Sequence, residues 1–154
     1  MKNFELIIIL EDIRSALNVG AIFRTCDAVG ASKLVLTGIT PHPPHPKIPK
    51  TALGAIDSVQ WEYIADTKAA IDKYAANSNL VAVELTANSH NLYEYKFAKP
   101  TALVFGNEIS GVSKYALNKA KASVKIPMHG IKESLNISTC LGITAYEVIR
   151  QWNY

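Results

Sequence analysis

The stretch Leu6-Ile7-Ile8-Ile9-Leu10-Glu11-Asp12-Ile13-Arg14-Ser15-Ala16-Leu17-Asn18-Val19-Gly20-Ala21-Ile22-Phe23-Arg24-Thr25-Cys26 decides the fold class. Leu6 to Leu10 is a continuous β-favouring apolar run, the pattern of a strand buried on both faces. From Ser15 to Val29 the apolar residues Ala16, Val19, Ile22, Phe23, Cys26 and Val29 recur at helical spacing. Gly30 supplies a helix stop, and Lys33 to Thr37 resumes as a second strand-like run. Strand, helix and strand in succession form a βαβ unit with a parallel crossover, so an α/β protein is expected.

Outward from this unit the alternation persists. Pro41 to Lys50 holds five of the chain's seven prolines, which forbids most strand pairing and predicts an irregular, partly extended surface loop. Thr51 to Ile56 reads as the start of a short helix, Val59 to Ile64 as a strand, Thr67 to Ala76 as a helix and Leu80 to Leu85 as a strand. The pattern weakens between Ala87 and Lys99. Beyond it Ala102 to Phe105 reads as a short buried strand, Tyr115 to Ala122 as a helix and Val124 to Pro127 as a last strand. Ile137 to Trp152 then closes the chain as a helix of about four turns. The expected fold class is α/β, a mostly parallel sheet flanked by helices.

At 154 residues and 49% hydrophobic composition the chain suits one buried core, so a single domain over residues 1–154 is expected. A net charge of +3 is compatible with a polyanionic partner without requiring one. Cys26 and Cys140 lie in apolar helical patterns and read as free thiols, which points to a reducing, cytoplasmic compartment. The short apolar core of Phe4 to Leu10, followed at once by Glu11 and Asp12, reads as a strand and not as a signal sequence. No run approaches the apolar length of a membrane span, and a soluble protein is expected.

Three fragments carry the chemistry. Phe105-Gly106-Asn107-Glu108-Ile109-Ser110-Gly111 has the glycine spacing of a phosphate-binding loop, but Val112 stands where the lysine belongs and Glu108 puts an acid inside the loop. Triphosphate binding is therefore disfavoured. No Gly-x-Gly-x-x-Gly follows the first strand either, which excludes the dinucleotide fingerprint. Glu108 is open to two readings, a solvated turn residue or an acid approaching a ligand hydroxyl or cation. In Asn18-Val19-Gly20-Ala21-Ile22-Phe23-Arg24, Asn18 reads as a helix cap and Arg24 as a salt-bridge or functional residue. In Ile126-Pro127-Met128-His129-Gly130-Ile131-Lys132-Glu133-Ser134-Leu135-Asn136, Gly130 permits a tight backbone and Ser134 or Asn136 either caps the last helix or serves a site.

Taken together, in this order and spanning Leu6 to about Trp152, the Asn-x-Gly-x-Ile-x-Arg-Thr, Gly-Asn-Glu-x-x-Gly-Val-Ser and Ile-Pro-Met-x-Gly-x-x-x-Ser-Leu-Asn stretches resemble the SPOUT-class RNA methyltransferases, specifically the TrmH type that methylates ribose 2′-hydroxyls. Pro46 to Ala55 also looks like that family's loop after the second strand. The resemblance implies a C-terminal trefoil knot that shapes a pocket for S-adenosylmethionine, tRNA or rRNA as substrate, and a homodimer in which one subunit supplies an arginine to the other. Family members often carry added RNA-recognition segments, but with the first strand-like run starting by residue 6 and the last helix closing the chain, a catalytic domain without an appended RNA-binding domain is expected.

By the same resemblance Arg24 is the central catalytic residue, Asn18 and Ser134 assist at the reacting ribose, Asn136 organises the site, and Glu108 belongs to the cofactor and arginine network. Leu103, Gly106, Glu108, Ile126, Met128 and Leu135 are implied to line the cofactor pocket. Arg14, Lys47 and Lys50, with Arg24, form an expected basic rim for RNA, or else a solvated face. His42 and His45, flanked by prolines and without acidic or cysteine partners, read as loop or RNA-contact residues, and no metal is expected. Two rivals stay open: a non-catalytic RNA-binding module, and a small-molecule α/β enzyme using a nucleotide cofactor.

Overall fold

A computed structural model describes residues 4–153. The strands are β1 (Phe4–Glu11), β2 (Ala31–Thr37), β3 (Trp61–Ile64), β4 (Asn79–Val83), β5 (His90–Asn91), β6 (Thr101–Phe105) and β7 (Ala122–Lys125). The helices are α1 (Ala16–Val29), α2 (Ile48–Ala52), α3 (Thr67–Asn77), α4 (Lys114–Lys119) and α5 (Ile137–Asn153). The strands form one sheet in the order β3-β2-β1-β6-β4-β7-β5, and each neighbouring pair is parallel. Chain order reverses between β1 and β6, which pair from Leu6 with Thr101 to Leu10 with Phe105. Crevices outside the carboxyl ends of strands at such a reversal are where open α/β sheets bind ligands.

Both faces of the sheet are covered, which explains why its strands read as unbroken apolar runs. Leu6, Ile8 and Leu10 of β1 pack with Ile22, Phe23 and Cys26 of α1 and with Leu141, Ala145 and Val148 of α5. Ile9, on the opposite face, packs with Ala70 and Ile71 of α3 and Ala116 of α4. Period-two alternation thus assigns α1, α2 and α5 to one layer and α3 and α4 to the other.

The expected elements occur with local differences. Gly30 ends α1 in the left-handed conformation at φ 69°, but the start of the helix is capped by Ser15 and not by Asn18: the Ser15 side chain accepts from the Asn18 N–H. Within the proline-rich segment, Ile48–Ala52 is helical, contrary to the expected irregular loop. Pro49 sits in the first turn, where the missing N–H has no intrahelical partner to lose. The Thr51 hydroxyl then donates to the Leu17 carbonyl (2.8 Å), fastening α2 to α1. α4 stops at Lys119 and Ala122 already belongs to β7. The weakly patterned segment contains the two-residue strand β5, paired with β7 through His90 and Asn91. Among the described residues no helix is long and apolar enough to cross a membrane.

Among the described residues two carboxylates are buried, Glu11 and Glu147, the latter paired with Arg150 (2.8 Å). Glu11, 2% exposed at the end of β1, accepts from the Ser113 N–H (3.0 Å) and the Ser113 hydroxyl (2.8 Å). Burial pushes its carboxyl above the usual range, against the opposing effect of the two Ser113 hydrogen bonds. A raised folded-state value means that its contribution is complete below the unfolded value and is lost as pH rises through the folded one. Glu11→Gln removes this titration and keeps the shape. Urea denaturation of both proteins across mildly acidic to neutral pH should show the variant gaining stability relative to wild type as pH rises; a difference independent of pH would contradict the expectation.

Candidate active site

A large open cleft of about 1070 Å³ lies at the carboxyl ends of β4, β6 and β7. Three chain segments form its walls: 83–85 after β4, 105–111 after β6, and 124–137 running from β7 into α5. Its surface combines apolar side chains, among them Ile126, Met128 and Leu135, with polar groups from Glu108, Ser134 and Asn136. This mixture, at this size, suits a nucleoside-sized ligand.

The β6 loop is tied to the β1–α1 loop by the side chains of Asn107 and Glu108. The Asn107 amide donates to the Asp12 carbonyl (2.7 Å), while its oxygen accepts from the N–H groups of Ile109 (2.8 Å) and Ser110 (3.0 Å). Glu108 accepts from the Arg14 N–H through both oxygens (3.0 and 2.9 Å) and from the Ser15 N–H through Oε1 (3.1 Å). A helix head often obtains the acceptor for its cap-residue N–H from a glutamate three positions into the helix. Here that position is Asn18, and a glutamate 93 residues away supplies the carboxylate to Ser15 instead. Glu108 is therefore engaged, not merely solvated.

With Ser15 and Glu108 meeting the needs of the helix head, the Asn18 side chain is available for another contact. Its oxygen accepts from the Asn136 amide (3.3 Å), joining the first motif to the third. Asn136 also accepts from the N–H and hydroxyl of Ser138 (2.9 and 2.6 Å), so one side chain caps α5 and reaches Asn18. Asn136 lines the cleft and brings Asn18 to its edge.

The remaining expected residues divide. Gly106, Glu108, Ile126, Met128, Ser134 and Leu135 line the cleft. Leu103 does not: it is fully buried within β6 among core residues, two positions short of the strand end that faces the cleft. Arg24 is exposed on α1, outside the cleft lining, and makes no hydrogen bond or ion pair with another described residue. Arg14 and Lys47 share a separate small depression with His45 at the head of α1, about 240 Å³ in volume, whereas exposed Lys50 stands outside its lining in α2. His42 stacks on Tyr63 at 4.1 Å between ring centres, and the His45 ring accepts from the Lys47 N–H (3.1 Å). Among the described residues no group of three His, Cys, Asp or Glu converges as a metal site.

Residues without an expected role also line the cleft, among them Glu84, Leu85, Ile109 and Cys140. A charge placed near the end of the otherwise apolar run Leu80 to Leu85 was the available signal for Glu84. Cys140 gave no such signal. Burial pushes its thiol up to about 11, with Glu84 adding to the rise, and the wholly buried Cys26 thiol is pushed up to about 12.

Comparison with known proteins extends this geometry. The model of the SpoU rRNA Methylase family matches residues 5–146. The tRNA (guanosine(18)-2′-O)-methyltransferase of Aquifex aeolicus is 35% identical over 152 residues, covering 96% of this chain and 70% of that enzyme. The AdoMet-bound rRNA methyltransferase of Sinorhizobium meliloti has a TM-score of 0.90 at 30% identity, over 99% of this chain and 59% of that one. A structure described as giving insights into the 2-OH methylation of C/U34 on tRNA has a TM-score of 0.86 at 27% identity, over 96% of this chain and 95% of that one.

Two glycines of the site make opposite demands. A Cβ at Gly106 would fall on the backbone of Gly111 and Val112, whereas one at Gly130 would meet nothing within 4 Å. Glycine at Gly106 is thus required by a contact internal to its loop, whereas no protein atom requires it at Gly130. Gly106→Ala should cost more than about 2 kcal/mol, because the clash is with backbone that cannot turn aside, while Gly130→Ala should stay within about 0.5 kcal/mol of wild type. Chemical denaturation of both variants checks the contrast; equal stabilities would refute it.

Proposed function

Because the chain belongs to the SpoU rRNA methylase family, the TrmH-type RNA 2′-O-methyltransferases of the SPOUT class, we propose that it transfers a methyl group from S-adenosylmethionine to a ribose 2′-hydroxyl of tRNA or rRNA. The observation that carries the reading is the convergence of three separated motifs at one cleft, with Asn136 hydrogen-bonded to Asn18 and Glu108 to the backbone of Arg14 and Ser15. The space and the mixed lining suit the donor. Gly106, Glu108, Ile126, Met128 and Leu135 would hold it, within the trefoil knot that the SPOUT class implies. When bound, S-adenosylmethionine would supply an electrophilic sulfonium methyl group for in-line transfer to the ribose oxygen, the thioether product leaving with the carbon–sulfur electron pair and the hydroxyl proton passing to solvent.

The chain's own residues then have to align the ribose and stabilise the oxygen as its proton departs. Alignment alone can account for much of the rate. Asn18, Ser134 and Asn136 are assigned to the ribose. Arg24 is assigned to the adjacent phosphate and to the developing alkoxide, because a planar guanidinium fork pairs with phosphate oxygens and stabilises developing negative charge. Arg14 and Lys47, sharing their depression with His45, are assigned to the RNA backbone, with Lys50 nearby on α2. Such contacts weaken as salt rises.

Arg24 lies outside the lining of its own subunit's cleft, with no protein partner among the described residues. This supports a homodimer in which each Arg24 serves the other subunit's cleft. A cytoplasmic location, where tRNA and rRNA substrates are found, completes the reading.

Labelled donor incubated with the protein and total cellular RNA should label RNA at a ribose, identified by nuclease mapping; unlabelled RNA, beside calorimetry showing no donor binding, would refute the activity. Arg24→Lys keeps the charge and loses the planar fork. It should lower single-turnover methylation by at least about tenfold with donor affinity and thermal stability retained. Near-normal methylation would remove Arg24 from the catalytic set.

The shared site has its own test. Arg24→Ala subunits mixed with Leu135→Arg subunits, whose cleft is obstructed, should recover partial activity that neither variant has alone. A monomer active in sedimentation, or mixtures that remain inactive, would overturn the dimer.

A further inference from the structure

Glu84 ends the run that enters the cleft from β4, and each of its carboxylate oxygens has a backbone partner. Oε2 accepts from the Val112 N–H (2.8 Å) and Oε1 from the Leu85 N–H (3.0 Å). Its own backbone is fixed as well: the Glu84 N–H donates to the Val124 carbonyl (3.0 Å) and the Ser89 hydroxyl to the Glu84 carbonyl (2.6 Å). One residue therefore links three cleft segments: its own after β4, the β6 loop through Val112, and the end of β7 through Val124.

The opposing residue is matched to it. Gly111 adopts φ +74°, and a Cβ there would overlap the Glu84 carboxylate. On the far side the same loop is held by Glu108 on Arg14 and Ser15, and at its exit by Glu11 on Ser113. Among the described residues no other hydrogen bond joins the Gly111–Val112 wall to the segment after β4. A charge-assisted contact to a backbone amide is stronger than a neutral one, and loss of the acceptor leaves the N–H to find water.

We propose that Glu84 is a positioning residue for the methyl-donor cleft, setting the spacing between the wall after β4 and the Gly106–Val112 wall so that the donor is held in a preformed site. The proposal rests on the methyltransferase reading. Glu84 acts on donor binding through the two backbone segments and takes no part in the displacement, so it affects donor affinity and leaves turnover at saturation alone. Preformation matters because each loop that must be ordered on binding subtracts from affinity.

Glu84→Gln keeps the shape but faces one of the two amides with an NH₂ group. Donor affinity is read by calorimetry with S-adenosylmethionine, donor KM and kcat by methylation of total RNA, and folding by thermal unfolding. The expected result is a rise of about tenfold in both Kd and donor KM, with kcat within about twofold of wild type and stoichiometry unchanged. Glu84→Asp, which keeps the charge and shortens the reach, should give the same split and serves where the glutamine variant does not fold. A folded variant with wild-type donor affinity, or one that loses kcat with Kd unchanged, would overturn the positioning role. Wild-type protein that binds no donor would instead overturn the methyltransferase reading.

Discussion

The contact of the Glu108 carboxylate with the Arg14 and Ser15 amides is the constraint on which the site depends. It crosses the point where strand order reverses, from the loop of β6 to the loop of β1, and so fixes the relation between the two halves of the sheet at its carboxyl edge. It also places an anion at the positive end of α1, where the helix dipole favours it. By supplying the acceptor that a local glutamate would otherwise provide, it leaves Asn18 available to meet Asn136. Asn107 reinforces the same crossing through the Asp12 carbonyl. Asp12 itself adopts φ 52°, an uncommon conformation for a residue with a side chain, stabilised by this carbonyl contact and by its Oδ1 accepting from the Ile39 N–H (3.0 Å).

Three carboxylates act on one loop from three strands. Glu11 ends β1 and grips Ser113, Glu84 follows β4 and grips Val112, and Glu108 follows β6 and grips the head of α1. Each uses backbone N–H groups as its partners, so the loop's course is set by main-chain contacts that tolerate variation of the neighbouring side chains. The apolar sheet beneath is non-directional and could not by itself fix a loop to a few tenths of an ångström. Labour is thus divided between an apolar sheet and the three acidic clips Glu11, Glu84 and Glu108 at its ligand end.

Much of this was legible in the sequence because it is local. The spacing of Ala16, Val19, Ile22, Phe23 and Cys26 specifies α1, and the unbroken run Leu6 to Leu10 specifies a strand covered on both faces. What escaped was non-local. Ser15 rather than Asn18 caps α1 because the complementary acceptor arrives from β6. Leu103 belongs to the core because alternation along a strand does not reveal how far a given residue stands from the strand's end. Strand β5 is two residues in a polar stretch, created by pairing with β7 and by no propensity of its own. The helix at Ile48 hid behind Pro49, a residue compatible with a first turn and no other. Of the site, the three motifs named the participants, but the roles of Asn107 and Glu84 required distances.

Cys140 stands in the wall of a cleft assigned to an alkylating molecule, and thiolates are among the strongest nucleophiles a protein has. Pushed up to about 11, its thiol stays predominantly neutral at pH 7. Burial and the neighbouring negative charge of Glu84 therefore do more than shape the wall. They hold the sulfur as the weakly nucleophilic neutral thiol in the wall of the cleft.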